Sequence, residues 1–328
     1  MDRSKTMRPI VVVGSINMDL VSTVSRIPAG GETLLGSSFQ MHSGGKGANQ
    51  AVAVARLDYP IEMIGKLGSD LFGERLRAQL QRAGVGMAGV ETVEGPSGIA
   101  AITVAATGEN SIVVTPGANA AVSPDYVEQH RSLIRSAGLV MTQLEIPVDT
   151  VERLAELCFQ EQVPLMLDPT PAQALPPSLL QRIRWFTPNE TEADFYVGRV
   201  ADGRRGGSWD ARVLPDTARS LLGQGPAGII LKLGPRGAYL AADGVEQLLH
   251  AMPVEAIDTT AAGDALNGAF AVGLMLGKSA LESARFAVAA ASISVTRSGA
   301  QPSMPTMAEV SRLLEDKQPF DRTSLEIA

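Results

Sequence analysis

The sequence contains very little cysteine, and this scarcity disfavours several kinds of protein. Cys158 is the single cysteine among 328 residues, so the chain cannot form an internal disulfide or a thiolate metal cage. The histidines, His42, His130 and His250, lack the spacing of a metal site. No serine lies in a G-x-S-x-G motif. Metal-dependent and serine-dependent hydrolysis are therefore disfavoured, and the reducing cytoplasm is the expected compartment.

Runs of basic residues and long apolar runs are also missing. The net charge is -7, from 28 Lys and Arg against 35 Asp and Glu, so we expect no nucleic-acid partner. The longest apolar stretches, near residues 265–277 and 284–296, are interrupted and too short to span a bilayer. The N-terminus has charges but no apolar signal-peptide core. We expect a cytoplasmic protein that has small-molecule partners and no membrane partner.

Short apolar runs alternate with amphipathic segments along most of the chain. Segments 70–83 and 149–162 place apolar residues at helical spacing. This alternation predicts an α/β fold with a three-layer, doubly wound, mostly parallel sheet, whose ligands bind beyond the carboxyl ends of the strands. The predicted buried strands lie at residues 10–13, 61–64, 139–141, 165–167, 185–187 and 229–233.

Other segments break this alternation. Residues 16–41 and 98–115 contain alternating apolar residues, which predict the hairpin strands of a small separate sheet that forms a lid. Residues 199–213 are rich in Gly and Arg without an apolar period, so they are interpreted as a mobile loop. We predict one domain over residues 8–315, followed by a frayed polar tail at 316–328.

A glycine-rich turn spans residues 43–50, with the sequence SGGKGANQ. Glycine allows a ligand to reach backbone amides at a helix N-terminus, and Lys46 and Asn49 offer hydrogen bonds to hydroxyl groups. A Walker A loop requires Ser or Thr after the lysine, but Gly47 stands there. We therefore predict that this turn binds something other than nucleotide phosphates, although a simple tight turn would give the same pattern.

Two further motifs carry carboxylates at candidate helix starts. Residues 258–264, DTTAAGD, combine small residues that expose backbone amides with Asp264, which either caps the helix or accepts the proton of an attacking hydroxyl. Residues 189–192, NETE, offer oxygen atoms to a hydrated magnesium ion or to the helix dipole.

Asn17 and Asp19 follow the first strand two positions apart, which suits adjacent hydroxyls or turn capping.

The order and spacing of four motifs resemble the ribokinase family of carbohydrate kinases over residues 8–315. The GGKGANQA form and the sequence TRSGAQPS at 296–303 are most similar to the members that act on ribose. The resemblance implies ATP-dependent phosphorylation of the 5-hydroxyl of D-ribose. The four motifs are GSINMD at 14–19, GGKGANQA at 44–51, TPNETE at 187–192 and DTTAAGD at 258–264.

The resemblance also implies a role for each site residue. Asp264 would be the general base, and the amides of Ala261, Ala262, Gly263 and Asp264 would form the anion hole. The implied sugar-binding residues are Asn17, Asp19, Gly45, Lys46, Asn49, Glu145 and Asp264. The implied nucleotide-binding residues are Asn189, Lys232, Leu233, Gly234, Gly237 and Gly263.

Two metal ions and a dimer follow from the same resemblance. Asn189 and Glu192 would organise Mg²⁺, and a K⁺ ion would be bound mostly through backbone carbonyls. The family often dimerises through the lid, so a homodimer is expected. The implied potassium ligands are Asp258, Thr260, Ser294, Arg297, Gly299 and Ser303.

The sequence departs from the family pattern at two positions and leaves alternatives open. Lys232 stands where the family commonly has Thr, and Val288 stands where some members have a polar or aromatic residue near the adenine. Both departures bear on nucleotide binding. The first alternative is a kinase of the same fold for 2-deoxyribose, another sugar or a nucleoside, and the second is a non-catalytic sugar or nucleotide sensor.

Overall fold

The computed structural model describes residues 7–199, 209 and 212–316. The strands in these ranges are β1 (Ile10–Val13), β2 (Asn17–Val24), β3 (Ser38–Gly44), β4 (Ile61–Gly68), β5 (Gly86–Val93), β6 (Gly98–Ala105), β7 (Asn110–Thr115), β8 (Leu139–Gln143), β9 (Leu165–Asp168), β10 (Trp185–Phe186), β11 (Gly228–Lys232), β12 (Ala238–Ala242) and β13 (Val245–Leu249). The helices are α1 (Lys46–Arg56), α2 (Leu71–Arg82), α3 (Pro124–Gln129), α4 (Arg131–Ser136), α5 (Val148–Gln160), α6 (Pro177–Leu180), α7 (Glu190–Tyr196), α8 (Val213–Leu222), α9 (Ala262–Met275), α10 (Ala280–Ser294) and α11 (Met307–Glu315).

The main sheet has nine strands in the order β13-β12-β11-β10-β9-β8-β1-β4-β5. The strands from β11 through β5 in this order are parallel to one another. β12 pairs antiparallel with both β11 and β13. This arrangement confirms the predicted doubly wound, mostly parallel α/β fold. The six strands predicted from apolar runs all belong to this sheet.

Both faces of the main sheet are covered by helices, because its central strands are apolar on both sides. In β1, Ile10 and Val12 pack in the core beneath α1, α9 and α10, whereas Val11 and Val13 pack in the core on the α3–α5 side. All four side chains are fully buried. Continuous apolar strands of this kind are typical of the interior of a parallel sheet.

The four lid strands form a second sheet, in the order β3-β2-β6-β7. β2 pairs parallel with β6, and the outer pairs are antiparallel. This confirms the separate sheet predicted from residues 16–41 and 98–115. β3 continues to Gly44, three residues beyond the predicted limit, and therefore delivers the glycine-rich turn directly to the start of α1.

Two predicted segments fall largely outside the described residues. Most of the predicted loop at 199–213 lies there, and the last predicted loop residue, Val213, is instead the first residue of α8. The tail after Asp316 also lies outside the described ranges. Within those ranges, no helix combines the length and apolarity needed to cross a membrane.

Candidate active site

The turn between β3 and α1 fixes the lid sheet against the main domain. Gly45 has φ 85°, and a Cβ atom there would lie 2.6 Å from the Asn17 amide nitrogen. A Cβ on Gly47 would lie 2.7 Å from the Gly14 carbonyl carbon. Glycine alone fits such close backbone contacts. The first turn of α1 is therefore held against the start of β2.

Asn17 and Asp19 extend from β2 at the edge of the site, as their spacing predicted. Asn17 is buried, and its Oδ1 accepts a hydrogen bond of 2.7 Å from Asn119 Nδ2. Gly44 is paired with Asn17 across the β2–β3 ladder, and a Cβ atom on Gly44 would overlap the Asp19 carboxylate. Burial, followed by repulsion from Glu145 and Asp264, raises the pKa of Asp19 to about 7. This carboxyl group can therefore donate or accept a hydrogen bond near neutral pH.

Asp264 lies in the first turn of α9 and is buried. Its Oδ2 accepts a hydrogen bond of 3.1 Å from Asn49 Nδ2, and its Oδ1 accepts one of 3.1 Å from Gln50 Nε2. Burial raises the pKa of Asp264 to about 6, although the nearby Lys46 ammonium lowers it. A carboxylate with this pKa is suited to accept a proton at neutral pH.

Asn49 connects the glycine-rich turn to Asp264. Its Oδ1 is buried and accepts no hydrogen bond from the described residues. A buried amide oxygen without a donor is costly, and a ligand hydroxyl would satisfy it. Asn49 is therefore placed to accept from a substrate while its amide group holds Asp264.

Glu145 and Lys46 lie next to each other at the start of α1. Glu145 Oε2 accepts hydrogen bonds from Ser15 Oγ and from the Lys46 backbone amide, the latter at 3.1 Å. Burial would lower the pKa of the Lys46 side chain, but the surrounding carboxylates of Asp264, Asp168 and Glu145 outweigh it and raise the pKa. Lys46 therefore remains an ammonium group.

The start of α9 presents backbone amides beside Asp264. Ala261 precedes the helix in the left-handed region, with φ 58°. This conformation costs about 1–2 kcal/mol in a non-glycine residue and is characteristic of constrained functional turns. The amides at a helix start lack intrahelical partners, and here the Ala262 amide donates to the Thr259 carbonyl, before the helix, at 3.3 Å. The predicted anion hole at residues 261–264 is thus a helix N-terminus adjoining a buried carboxylate.

Asp168, which the sequence analysis did not single out, organises the centre of the site. It is the last residue of β9 and is buried. Its Oδ2 accepts hydrogen bonds from Gln50 Nε2 at 3.0 Å and Asn267 Nδ2 at 2.9 Å. Its Oδ1 accepts from Lys232 Nζ at 2.7 Å, and the Thr170 hydroxyl oxygen lies 3.1 Å from it. Three N–H donors, from Gln50, Asn267 and Lys232, therefore hold this carboxylate.

Gln50, Gln143, Asn119 and Thr170 were also absent from the sequence-based site. Gln50 Nε2 reaches both Asp168 and Asp264, and Gln50 Oε1 accepts from Gln143 Nε2 at 2.7 Å. Gln143 and Asp168 are paired at the ends of β8 and β9. A search for polar residues at the carboxyl ends of the predicted strands would have found both.

Asn189 and Glu192 form the N-terminal cap of α7. Asn189 Oδ1 accepts from the Glu192 amide at 2.9 Å, and Glu192 Oε2 accepts from the Asn189 amide at 2.8 Å. Glu192 Oε1 accepts from Asn189 Nδ2 and Thr170 Oγ1. Burial raises the pKa of Glu192, against the lowering effect of Lys232. Glu192 Oε2 retains a lone pair, which fits a water molecule of a hydrated Mg²⁺ ion.

The predicted potassium residues come from two segments that the structure brings together. Asp258 accepts hydrogen bonds from the Thr260 amide at 2.9 Å and the Gly299 amide at 2.8 Å. Burial opposes ionisation, but these hydrogen bonds lower the pKa of Asp258. The Ser294 and Ser303 hydroxyls donate to nearby backbone carbonyls. A potassium ion here would therefore depend mainly on backbone oxygens.

The remaining predicted nucleotide residues follow β11. Leu233 is fully buried in the core on the α8 side, so only its backbone can face a nucleotide. Gly234 begins a short 3-10 turn, and the Leu233 amide donates to the Gly237 carbonyl at 2.9 Å. Val288 is buried within α10. Arg297 forms an ion pair with Glu309, so its side chain is directed to α11.

The family model described as pfkB family carbohydrate kinase matches residues 7–307. The chain belongs to this family. Members phosphorylate sugars with ATP, and the chain is accordingly an ATP-dependent sugar kinase of the pfkB family. The motifs that suggested this resemblance all lie around the cluster of Asp264, Asp168 and the glycine-rich turn.

Several pfkB family relatives are similar over nearly the whole chain. The ribokinase of Bacillus subtilis strain 168 is 40% identical over 308 residues, covering 94% of this chain and 100% of the relative. The deoxyribokinase of Salmonella typhi is 34% identical, covering 93% and 98%. The structure of Arabidopsis thaliana ribokinase complexed with ribose and ATP matches with a TM-score of 0.86, at 34% identity, covering 94% and 99%.

Proposed function

We propose that this kinase transfers the γ-phosphoryl group of ATP to the 5-hydroxyl of D-ribose, giving ribose 5-phosphate. One observation carries the proposal: the buried Asp264 carboxylate lies at the N-terminus of α9 and is held by Asn49 from the glycine-rich turn. The proposal assigns a base, the amides of a helix start and hydroxyl-binding groups to one site. The ribokinase relatives, including the one complexed with ribose and ATP, support ribose as the acceptor.

The residues divide the reaction between proton transfer and charge stabilisation. Asp264 accepts the proton of the attacking hydroxyl as the sugar oxygen forms a bond to the γ-phosphorus. The bond from that phosphorus to the β-phosphate bridging oxygen breaks, and ADP leaves. The amides of residues 261–264 stabilise the negative charge on the transferring group. Asn17, Asp19, Gly45, Lys46, Asn49 and Glu145 bind and orient the sugar.

The proposed metal sites follow the residues that fit them. Asn189 and Glu192 would hold Mg²⁺ through water, and Mg²⁺ would neutralise charge on the β- and γ-phosphates. The loop at Asp258 and the segment 294–303 would hold K⁺ beside the start of α9. Turnover should be higher in K⁺ than in Na⁺ at equal ionic strength. Equal turnover in both salts would contradict the potassium site.

A second candidate substrate is 2-deoxyribose, because the Salmonella typhi deoxyribokinase is also similar over most of its length. Ribose remains the preferred proposal because Asn17 and Asp19 together suit adjacent hydroxyls. A sugar that lacks the 2-hydroxyl would leave a buried polar group unpaired, which typically costs about 1–3 kcal/mol. A non-catalytic sensor would have no use for a base whose pKa is raised to about 6.

The substrate test is ADP release by the purified protein with ATP, Mg²⁺ and K⁺. The acceptors are ribose, 2-deoxyribose, fructose, adenosine and none, and ³¹P NMR identifies the phosphorylated position. We expect the highest kcat/KM with ribose and phosphorylation at its 5-position. Equal or faster turnover of 2-deoxyribose would replace ribose as the substrate, and no sugar-dependent turnover would favour the sensor.

We also propose a cytoplasmic homodimer that associates through the lid. The lid sheet exposes a group of apolar side chains, and its edge strand β7 contributes Ile112, Val113 and Val114. Exposed apolar edge strands readily pair with another chain. A second copy of the lid would cover this surface.

A further inference from the structure

Lys232 and Asp168 form an ion pair inside the site. Lys232 Nζ lies 2.7 Å from Asp168 Oδ1, and the side chains are 11% and 2% exposed. Replacing a buried ion pair with apolar residues is often neutral or stabilising, so stability alone is a weak reason for such a pair. Its position suggests a role in the chemistry.

The Lys232 ammonium group lies beside the start of α9. A Cβ atom built on Gly263 would be 3.6 Å from Lys232 Nζ and 3.5 Å from its Cδ. Gly263 belongs to the proposed anion hole, so the lysine side chain borders the same space as the helix amides.

The ammonium group has donor capacity to spare. It carries three N–H donors, and its single hydrogen bond within the described residues is to Asp168 Oδ1. Asp168 in turn is held by the side-chain amides of Gln50 and Asn267, which fixes the direction of the lysine side chain. Two donors therefore remain for a ligand at the start of α9.

We propose that Lys232 is a catalytic residue that donates hydrogen bonds to the oxygens of the transferring phosphoryl group, and that Asp168 positions it. The inference rests on the proposed function, which places that group at the N-terminus of α9. The bonds that form and break are the same as in the proposed reaction. The sugar proton goes to Asp264, ADP leaves, and Lys232 keeps its proton. The ammonium group adds a fixed positive charge to the helix amides where negative charge is transferred.

The main test compares Lys232→Met with Lys232→Gln, which removes the charge but keeps a donor for Asp168. Both should lower kcat by about 10²–10³-fold, the typical effect of removing one stabilising donor. The dissociation constant for ribose, measured by calorimetry, should change little. The calorimetric stoichiometry counts folded sites, so kcat per competent site remains measurable if part of the protein unfolds. Lys278→Met is the control, because Lys278 is exposed, and it should retain wild-type kcat.

A double variant separates catalysis from folding. Lys232→Met alone leaves Asp168 as an uncompensated buried charge and should lower the urea midpoint of unfolding. Asp168→Asn with Lys232→Met should recover much of that midpoint but not the kcat. Wild-type kcat in Lys232→Gln, or recovery of kcat together with stability in the double variant, would overturn the catalytic role. Failure of the proposed function is distinct, because the wild-type protein itself would then release no sugar-dependent ADP.

Discussion

Asp264 is buried, yet the proposed reaction requires it to accept a proton in every turnover. Asp264→Asn keeps the size of the side chain and removes its basicity. General base catalysis typically contributes about 10²–10⁴-fold, so we expect kcat to fall by that amount. Ribose affinity should stay close to that of the wild type, because the base acts mainly in the transition state.

Steady-state ADP release and calorimetry with ribose measure the two effects separately. Asp216→Asn is a suitable control because the Asp216 side chain is 82% exposed. An Asp264→Asn variant with normal kcat would remove Asp264 from the mechanism.

The environment of Asp264 also predicts a pH dependence. Burial and the Asp168 charge raise the pKa of Asp264 to about 6, although Lys46 opposes them. The base is active when it is deprotonated, so kcat should fall below pH 6, by about tenfold for each further pH unit. Asp19, whose pKa is raised to about 7, contacts the sugar in our proposal, so its titration should affect the KM for ribose.

A pH–rate profile between pH 5 and 8.5, at saturating ATP, tests both expectations. A kcat that is constant from pH 5 to 7 would contradict the assignment of Asp264 as the base. An acidic limb that remains in Asp264→Asn would assign the limb to another group.

At the scale of single residues, the sequence singled out several residues that lie in the candidate site, but not Asp168 at its centre. Asp264 and Asn49 stand in recognisable motifs, Glu145 was implied only by the family resemblance, and the structure brings the three together through α1. Asp168 has no motif of its own, and its importance comes from three N–H donors on different segments. The sequence shows a carboxylate after a strand, but it does not show which distant amides reach it.

At the scale of elements, the start of α1 depends on the glycine-rich turn. Gly45→Ala would introduce a Cβ 2.6 Å from the Asn17 nitrogen, at a position with φ 85°. The turn must shift, which would displace α1 from β2. The proposed sugar-binding residues Asn17 and Asp19 on β2 would then move away from Lys46 and Asn49 on α1. A displacement of about 1 Å can cost about 10²-fold in activity, so we expect kcat/KM for ribose to fall by that order.

Gly30→Ala is the matched control, because a Cβ on Gly30 would have no heavy atom within 4 Å. Near-UV circular dichroism of both variants would verify that they fold. Normal kcat/KM in Gly45→Ala would show that the turn tolerates the shift and that the close contact does not position the sugar ligands.

The elements themselves were predicted well where periodicity is strong. The predicted first strand matches β1 at both ends, and segment 149–162 contains nearly all of α5 (Val148–Gln160). The sequence pattern was less informative for β3, whose final residues continue into the glycine-rich turn. The pairing of β2 with β6 in parallel could not be predicted, since it depends on contacts between segments about 80 residues apart.

At the scale of the whole molecule, the lid surface predicts an oligomer. Val113 on the edge strand β7 is 63% exposed, and Val113→Lys would place a charge in the proposed dimer interface. We expect this variant to dissociate at protein concentrations at which the wild type is dimeric. Light scattering after size-exclusion chromatography measures the molar mass.

Val245→Lys is the control, because Val245 is 37% exposed on β13, the edge strand of the main sheet. It should remain dimeric. A monomeric wild-type protein, or a dimeric Val113→Lys variant, would place the apolar lid residues outside any stable interface.

The hydrogen bond between Asn49 and Asp264 joins residues 215 positions apart in the sequence. A ribosome delivers Asn49 early and Asp264 only when most of the chain has been synthesised. Loop closure over such a distance is entropically unfavourable and slow compared with local folding. A nascent chain that ends before α9 therefore contains all nine strands of the main sheet but lacks the proposed base and anion hole, so we expect it to consume no ATP until these residues are synthesised.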